Sequence, residues 1–359
     1  MEIDPGTQSQ LATLQRQYFQ LVDPSKFKWP NDETIKIPTV QAWLFDNLFD
    51  LEKIQSPPPE RYQLRVLKVL IARLERSIND PEEDEISDDL MSALSSLWGS
   101  NVPSESTSAQ QKAFVTYTYP LRHNEGLIAD DYAVTLLESR SVISASGTTG
   151  LRTWEAALLL GAYLVSENGR NLVHGKRLFE LGAGTGILSV LCAKHLGVSG
   201  IVASDGDEAV VDAIKTNIFL NGLDLDDSSG TIVRAAALKW GRPIDASTFA
   251  EDYGMEAPDI LLGADVTYDR FVIPALVSSM REFFDLNSAL QVLVCATIRN
   301  EQTFEAFCHA CKRNGFRLEL LDFPPVPEHL QDGPFYPTST PIQIWRITRS
   351  LPAQNPFSY

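Results

Sequence analysis

The residues best suited to chemistry are acidic, and they stand at the ends of apolar runs. Glu180 comes two residues before the turn Gly182-Ala183-Gly184-Thr185-Gly186. Asp205 closes Gly200-Ile201-Val202-Ala203-Ser204, and Asp265 with Tyr268 follows Asp259-Ile260-Leu261-Leu262-Gly263-Ala264. Arg299 follows the run from Leu290 to Ile298. Carboxylates accept hydrogen bonds from hydroxyls and attract ammonium groups. Strand ends are where an open α/β sheet binds its ligands. The shared placement of these four positions is a stronger signal than any one of them.

The turn narrows the ligand. A dinucleotide fingerprint, G-x-G-x-x-G, needs glycine at position 187, which is Ile187; the spacing here is G-x-G-x-G. The turn has no Lys or Arg for a pyrophosphate, and Glu180 is a poor neighbour for one. Glycines with a carboxylate beside them suit a ligand with a cationic end, such as the ammonium and sulfonium of S-adenosylmethionine, ahead of a nicotinamide cofactor. A tight strand–helix turn in some other α/β protein is the plainer alternative. Asp205 is placed to accept from both ribose hydroxyls. It is equally placed to cap the helix near Glu208, a job Asp207 also suits. Trp154, at the head of a helix, either covers the cofactor or packs in the core. Trp240, just past a strand, either stacks on an adenine or packs.

The elements that position these residues alternate. Strands are expected at 178–181, 200–204, from 231, at 259–264 and at 290–298, with helices from Ile187, over Asp207–Asn221, Val272–Phe284 and Thr303–Arg313. Two last strands, at 316–321 and 342–347, have no helix between them and make an antiparallel end. The expected fold class is α/β, a Rossmann-like seven-strand sheet with an antiparallel closing strand. Before it, Leu11, Leu14, Tyr18 and Leu21, and Leu64, Leu67, Leu70, Ile71 and Leu74, recur at helical spacing. Two domains are expected: a small helical one over 1–112 and a catalytic one over 113–359. Ser100–Gln111 reads as a linker, and Phe114–Pro120 as a strand that Ser141–Ser144 is able to pair with.

Composition excludes several classes. A net charge of −17 over 359 residues argues against a broad nucleic-acid surface, so no direct nucleic-acid partner is expected. The longest apolar run, Ala156 to Val165, is too short to cross a bilayer. The start, Met1-Glu2-Ile3-Asp4-Pro5, resembles no signal or transit peptide, so a cytoplasmic protein is expected; a monomer is expected as well. Cys308 and Cys311 have the spacing of half a zinc site but no second pair, so no metal is expected.

Ser146-Gly147-Thr148-Thr149-Gly150-Leu151-Arg152-Thr153-Trp154-Glu155-Ala156-Ala157 closely resembles the stretch before the first motif of the elongation factor 2 lysine methyltransferases, within the seven-strand protein methyltransferases. Glu180–Gly186 and Ala264-Asp265-Val266-Thr267-Tyr268 resemble motifs of that wider family; Thr297-Ile298-Arg299-Asn300 and the extension bearing Arg16-Gln17-Tyr18-Phe19 are narrower. The resemblance implies S-adenosylmethionine as cofactor and an elongation factor 2 lysine as substrate. It implies a cofactor pocket lined by Trp154, Gly182, Ala183, Gly184, Asp205, Trp240 and Ala264; Glu180 and Leu181, at the end of the first strand, are expected to line it as well. Asp265 and Tyr268 would face the lysine.

At pH 7 only about one lysine in 2,500 is neutral, so such a site must desolvate and align the amine. Asp265 is suited to orienting the ammonium and Tyr268 to bonding or walling it; neither need be an obligate base. Asp265 is equally suited to capping the next helix. Other readings are methylation of another protein or a small amine, and a binding module that keeps the pocket without turnover.

Overall fold

The computed structural model describes residues 3–80, 82, 84–100, 104, 111–121, 131–139, 148–224 and 231–349. By its contacts the chain divides into two units, Met1–Ala145 with Gln331–Phe335, and Ser146–Leu330 with Tyr336–Tyr359.

The first unit is helical with one hairpin. Its helices are α1 (Pro5–Phe19), α2 (Asp32–Ile35), α3 (Pro38–Leu48), α4 (Glu60–Ser77) and α5 (Asp88–Gly99). Asp4 caps α1 by accepting from the Thr7 N–H, and Pro5 opens it where no donor is needed. Leu11, Leu14 and Tyr18 of α1 and Val66, Leu67, Leu70, Ile71 and Leu74 of α4 form one core, as their spacing requires. The motif around Arg16 acts as a set of braces. Arg16 pairs with Asp131 at 2.7 Å and donates to the Asp332 carbonyl at 3.2 Å. Gln17 ties the backbone of Lys26 and Lys28, and Gln20 that of Phe335.

The strand expected near 114 is β1 (Lys112–Tyr119), and its partner is β2 (Tyr132–Ser139), antiparallel, with Phe114 opposite Leu137. The expected partner at 141–144 lies outside the described residues, as does most of the expected linker. By its contacts this hairpin falls in the first unit, next to the boundary expected at 112/113. The reason is physical: β1 and β2 bond only to each other as a sheet. Gly333 also packs so closely that a Cβ there would lie 2.7 Å from the Thr118 carbonyl.

The second unit carries the large sheet. It opens with α6 (Glu155–Val165), apolar almost all round and correspondingly buried, then α7 (Glu167–Val173), a short helix that the spacing does not foresee. The strands are β3 (Arg177–Leu181), β4 (Gly200–Asp205), β5 (Ile232–Ala237), β6 (Ile260–Ala264), β7 (Gln291–Thr297), β8 (Phe316–Leu320) and β9 (Ile342–Arg349). Their order is β5-β4-β3-β6-β7-β9-β8, parallel from β5 to β7, with β9 antiparallel to both neighbours. Between strands run α8 (Ile187–His195), α9 (Glu208–Leu220), α10 (Phe249–Tyr253), α11 (Ile273–Leu286) and α12 (Glu301–Arg313). Leu178, Phe179, Ile201, Val202, Leu261 and Leu262 are fully buried, as continuous apolar strands of a covered parallel sheet should be. The chain leaves β3 toward β4 and β5, then returns to β6 on the other side of β3. That reversal opens a crevice at the carboxyl ends of β3, β4 and β6.

Cys308 and Cys311 lie on α12, with the Cys311 thiol pushed up to about 12 by burial. Among the described residues no group of three or more His, Cys, Asp or Glu is arranged to hold a metal, and no helix is long and apolar enough to cross a membrane.

Candidate active site

The glycine turn links β3 to α8. Gly182, Gly184 and Gly186 have φ of +63°, +56° and +80°, a region costly for any residue with a Cβ. Space is also short: a Cβ on Gly182 would meet Trp240 and Val266 at 3.0 Å, and one on Gly184 the Gly150 carbonyl at 3.1 Å. The loop at 148–154 therefore lies against the turn. A hydrogen bond of 2.7 Å between the Thr153 and Thr185 hydroxyls fastens the two.

Asp205 ends β4 and faces this turn. Its Oδ2 accepts the Gly184 N–H at 3.2 Å and its Oδ1 the Asp207 N–H at 3.2 Å. Asp207, not Asp205, caps α9, accepting from Ala209 at 2.8 Å and Val210 at 3.4 Å. That leaves Asp205 available to a ligand. Burial pushes its pKa up, against the backbone bonds that lower it.

Glu180 turns elsewhere than expected. Its carboxyl is buried, and Oε2 accepts the Ser189 N–H at 3.1 Å and the Ser189 hydroxyl at 2.5 Å, bracing the first turn of α8. Burial raises it to about 7, with the Ser189 bonds opposing and the charge of Asp205 assisting. Its first contact is thus a helix start rather than an open ligand position. Leu181 puts its side chain in the core, which leaves only its main chain for the crevice. Ala183 donates to the Ser204 carbonyl at 2.8 Å, locking the turn to β4.

Two tryptophans border the crevice. Trp240 packs over Gly182, and its buried Nε1 has no hydrogen-bond partner among the described residues. A buried unpaired donor costs free energy, which a ligand acceptor would offset. Trp154 stands immediately before α6, donates from Nε1 to the Thr149 carbonyl at 3.2 Å, and has the Arg299 guanidinium 5.1 Å from its ring centroid.

At the end of β6, Ala264 leads into Asp265, whose φ is +56°. Asp265 caps no helix, because α11 begins only at Ile273 with Val272 before it. Its carboxylate accepts from the Thr297 N–H at 3.1 Å, the Thr297 hydroxyl at 3.3 Å and both Arg299 terminal nitrogens at 3.1 Å. Burial pushes it up, and Arg299 opposes that most strongly. Tyr268 lies in the following loop, 64% exposed, and its phenol is raised by burial and by Asp205, Asp269 and Asp265. Arg299 pairs also with Glu155 at 2.7 Å. Among these partners, Glu155, Thr297 and Ser189 were not foreseen as site residues. Arg299 was visible at its strand end but without a role.

A cleft of about 640 Å³ lies at the opposite, amino-terminal ends of β3, β6 and β7. There Arg177 and Asp259 are paired with each other at 3.2 Å, so the convergent acids and the glycine turn mark the other end as the site.

The residues at the crevice fit S-adenosylmethionine: close-approach glycines, acceptor-only carboxylates and an unsatisfied indole donor, with no cation in the turn. Sheet order and turn together define a seven-strand, S-adenosylmethionine-dependent methyltransferase. A family model described as lysine methyltransferase matches residues 141–313. The chain is 45% identical over 333 residues to the protein-lysine N-methyltransferase EFM3 of Chaetomium thermophilum, covering 93% of this chain and 96% of that one. It is 30% identical over 237 residues to EFM3 of Saccharomyces cerevisiae, covering 61% and 67%. It is 27% identical over 332 residues to the protein-lysine N-methyltransferase EEF2KMT of Homo sapiens, covering 89% and 92%. The chain belongs to this family of protein-lysine N-methyltransferases, and its substrate is a protein.

Proposed function

We propose that this enzyme methylates a lysine of translation elongation factor 2, acting as a monomer in the cytoplasm, with the second unit carrying the chemistry. The observation that carries the reading is the stretch from Thr148 to Glu155. It falls within the stretch that closely resembles the elongation factor 2 enzymes, and it packs on the glycine turn while setting Trp154 and Glu155 against Arg299. The cofactor supplies an electrophilic methyl group. In this reading Trp154, the main chain of Leu181 to Gly184, Asp205, Trp240 and Ala264 form its pocket, and Glu180 supports it from behind by bracing the start of α8 through Ser189. Asp205 takes the ribose hydroxyls, and the Trp240 N–H takes an acceptor of the ligand.

Asp265 and Tyr268 handle the lysine. A carboxylate near the ammonium orients it, and the exposed Tyr268 ring walls the approach. Water takes the proton, since desolvation brings the amine to its neutral form. Alignment of the neutral amine contributes on the order of 7–11 kcal/mol at best.

The test is labelling of a cell lysate with tritiated S-adenosylmethionine and the purified enzyme. The expected result is one labelled protein, elongation factor 2, with the label on a lysine. Label on another protein or on a small amine only, or no label with cofactor bound, refutes the reading.

A further inference from the structure

Arg299 is a cation set among acids, paired with both Asp265 and Glu155, and methyl transfer as described gives it no task. It stands two residues past the end of β7. Nη1 and Nη2 each donate to Asp265 Oδ2 at 3.1 Å, and Nη2 also donates to Glu155 Oε2 at 2.7 Å. The Trp154 ring lies 5.1 Å away, centroid to guanidinium carbon. A planar guanidinium suits such a place, because its fork makes several bonds at once and its face stacks on a ring. Thr297 completes the grip, donating from its N–H to Oδ1 and from its hydroxyl to Oδ2. Asp265 is also one of two described non-glycine residues with positive φ. Strain of that kind persists where the surroundings over-determine it, and it collects at functional sites.

The two carboxylate oxygens are used unequally. Oδ2 accepts from Arg299 twice and from the Thr297 hydroxyl; Oδ1 accepts, among the described residues, the Thr297 N–H alone. An ionised carboxylate oxygen has two lone pairs, so Oδ1 has room for one more donor.

We propose that Arg299, backed by Glu155, is a positioning residue for lysine methylation: it holds the Asp265 carboxylate in one orientation, with Oδ2 occupied and Oδ1 free for the substrate ammonium. The inference rests on the reading of Asp265 as the lysine-handling residue. Charge works in the same direction. Burial favours the protonated acid at Asp265 and so does Glu155, while Arg299 favours the anion. Among the described residues the charge of Asp265 also acts on the Cys295 thiol, itself pushed well up by burial, and on the Tyr268 phenol, also raised. Neither supplies a compensating cation.

The experiment uses the full-length enzyme and the protein that the wild type labels. Turnover and KM for that protein are measured for Arg299→Gln, Arg299→Lys, Glu155→Gln and Asp265→Asn, beside cofactor affinity by calorimetry. Arg299→Gln is expected to lower kcat at least roughly tenfold with cofactor affinity within about twofold. Its rate relative to wild type should fall further as the pH is lowered through the acidic range, because without the guanidinium Asp265 protonates at a higher pH. Arg299→Lys keeps the charge and loses the fork, so its kcat should fall while its relative rate stays flat across that range. Glu155→Gln should lose less, roughly threefold.

Wild-type kcat and a flat relative profile in Arg299→Gln, with Asp265→Asn impaired, overturns the inference and spares the reading of Asp265. Loss of cofactor affinity in parallel with rate overturns it too, since Arg299 would then act on the pocket. A wild-type rate in Asp265→Asn overturns the reading of Asp265 itself. Should Arg299→Gln fail to fold, Arg299→Lys decides: wild-type turnover there refutes positioning by the fork.

Discussion

Asp205 and Asp265 end strands on opposite sides of β3, both are largely buried, and burial pushes both pKa values up. Their partners differ. Asp205 is held by backbone N–H groups of Gly184 and Asp207, with no cation at its carboxylate among the described residues. Asp265 is held by Thr297 and by a guanidinium that Glu155 holds in turn. Neutral donors leave a carboxylate able to accept from neutral hydroxyls. A paired cation keeps its neighbour charged in spite of burial, which is what attraction of an ammonium requires. Two aspartates of the same type and burial are thereby suited to two tasks, one toward a ribose and one toward a lysine.

That contrast breaks if the two residues are interchangeable under mutation. The largest effect is expected at Asp265. Asp265→Asn keeps the shape and removes the charge, and it should lower single-turnover methylation about a hundredfold, or about 2.7 kcal/mol of barrier, with cofactor affinity unchanged. Asp205→Ala should do the reverse: cofactor binding weaker by about 2 kcal/mol, with nearly normal turnover once cofactor saturates. Calorimetry beside single-turnover kinetics reads both. Equal losses in both measurements for both variants would erase the distinction.

Glu180 sharpens the comparison as a third buried carboxyl, this one turned to Ser189. Its folded pKa, about 7, exceeds its unfolded value. The native state therefore holds a proton that the unfolded state has released, and stability falls as pH rises from about 4.5 to about 7. Glu180→Gln should flatten that fall by about 2 to 3 kcal/mol, seen as urea midpoints compared at pH 5 and pH 8. A variant as pH-dependent as wild type would show that Glu180 is charged in the native state throughout. The smallest effect is expected at Tyr268, where Phe keeps the exposed wall and removes the hydroxyl. A rate loss of about threefold with unaltered cofactor binding would place the hydroxyl on the amine, worth about 0.6 kcal/mol. An unchanged rate would leave the ring as a wall alone.

Much of the sheet was legible in advance, since its signals are local. Apolar runs of four to seven residues bounded by glycine and acid mark buried parallel strands, and every strand expected between 178 and 347 is present. The antiparallel end was legible because only a short 3-10 turn, Glu328–Leu330, and no α-helix separates the last two strands. The hairpin was only half legible. Tyr132–Ser139 has β-prone residues, but choosing it over Ser141–Ser144 depends on the register with β1. The short α7 is too brief to show a period.

For the site, the sequence by itself determined which residues reach the carboxyl ends of the strands, because strand ends follow from the apolar pattern. It determined the turn as well, since three alternate glycines permit positive φ whatever surrounds them. Tertiary structure alone decided which way each carboxyl faces. Glu180 turns inward to Ser189, nine residues on, because the helix that follows the turn folds back over the strand end. Asp205 stays free because Asp207 takes the cap. Glu155 and Arg299, 144 positions apart, pair beside Asp265 only once β6 and β7 lie side by side and α6 packs beside them. Charge pairs between remote segments follow from chain topology, and no local pattern of residues encodes them.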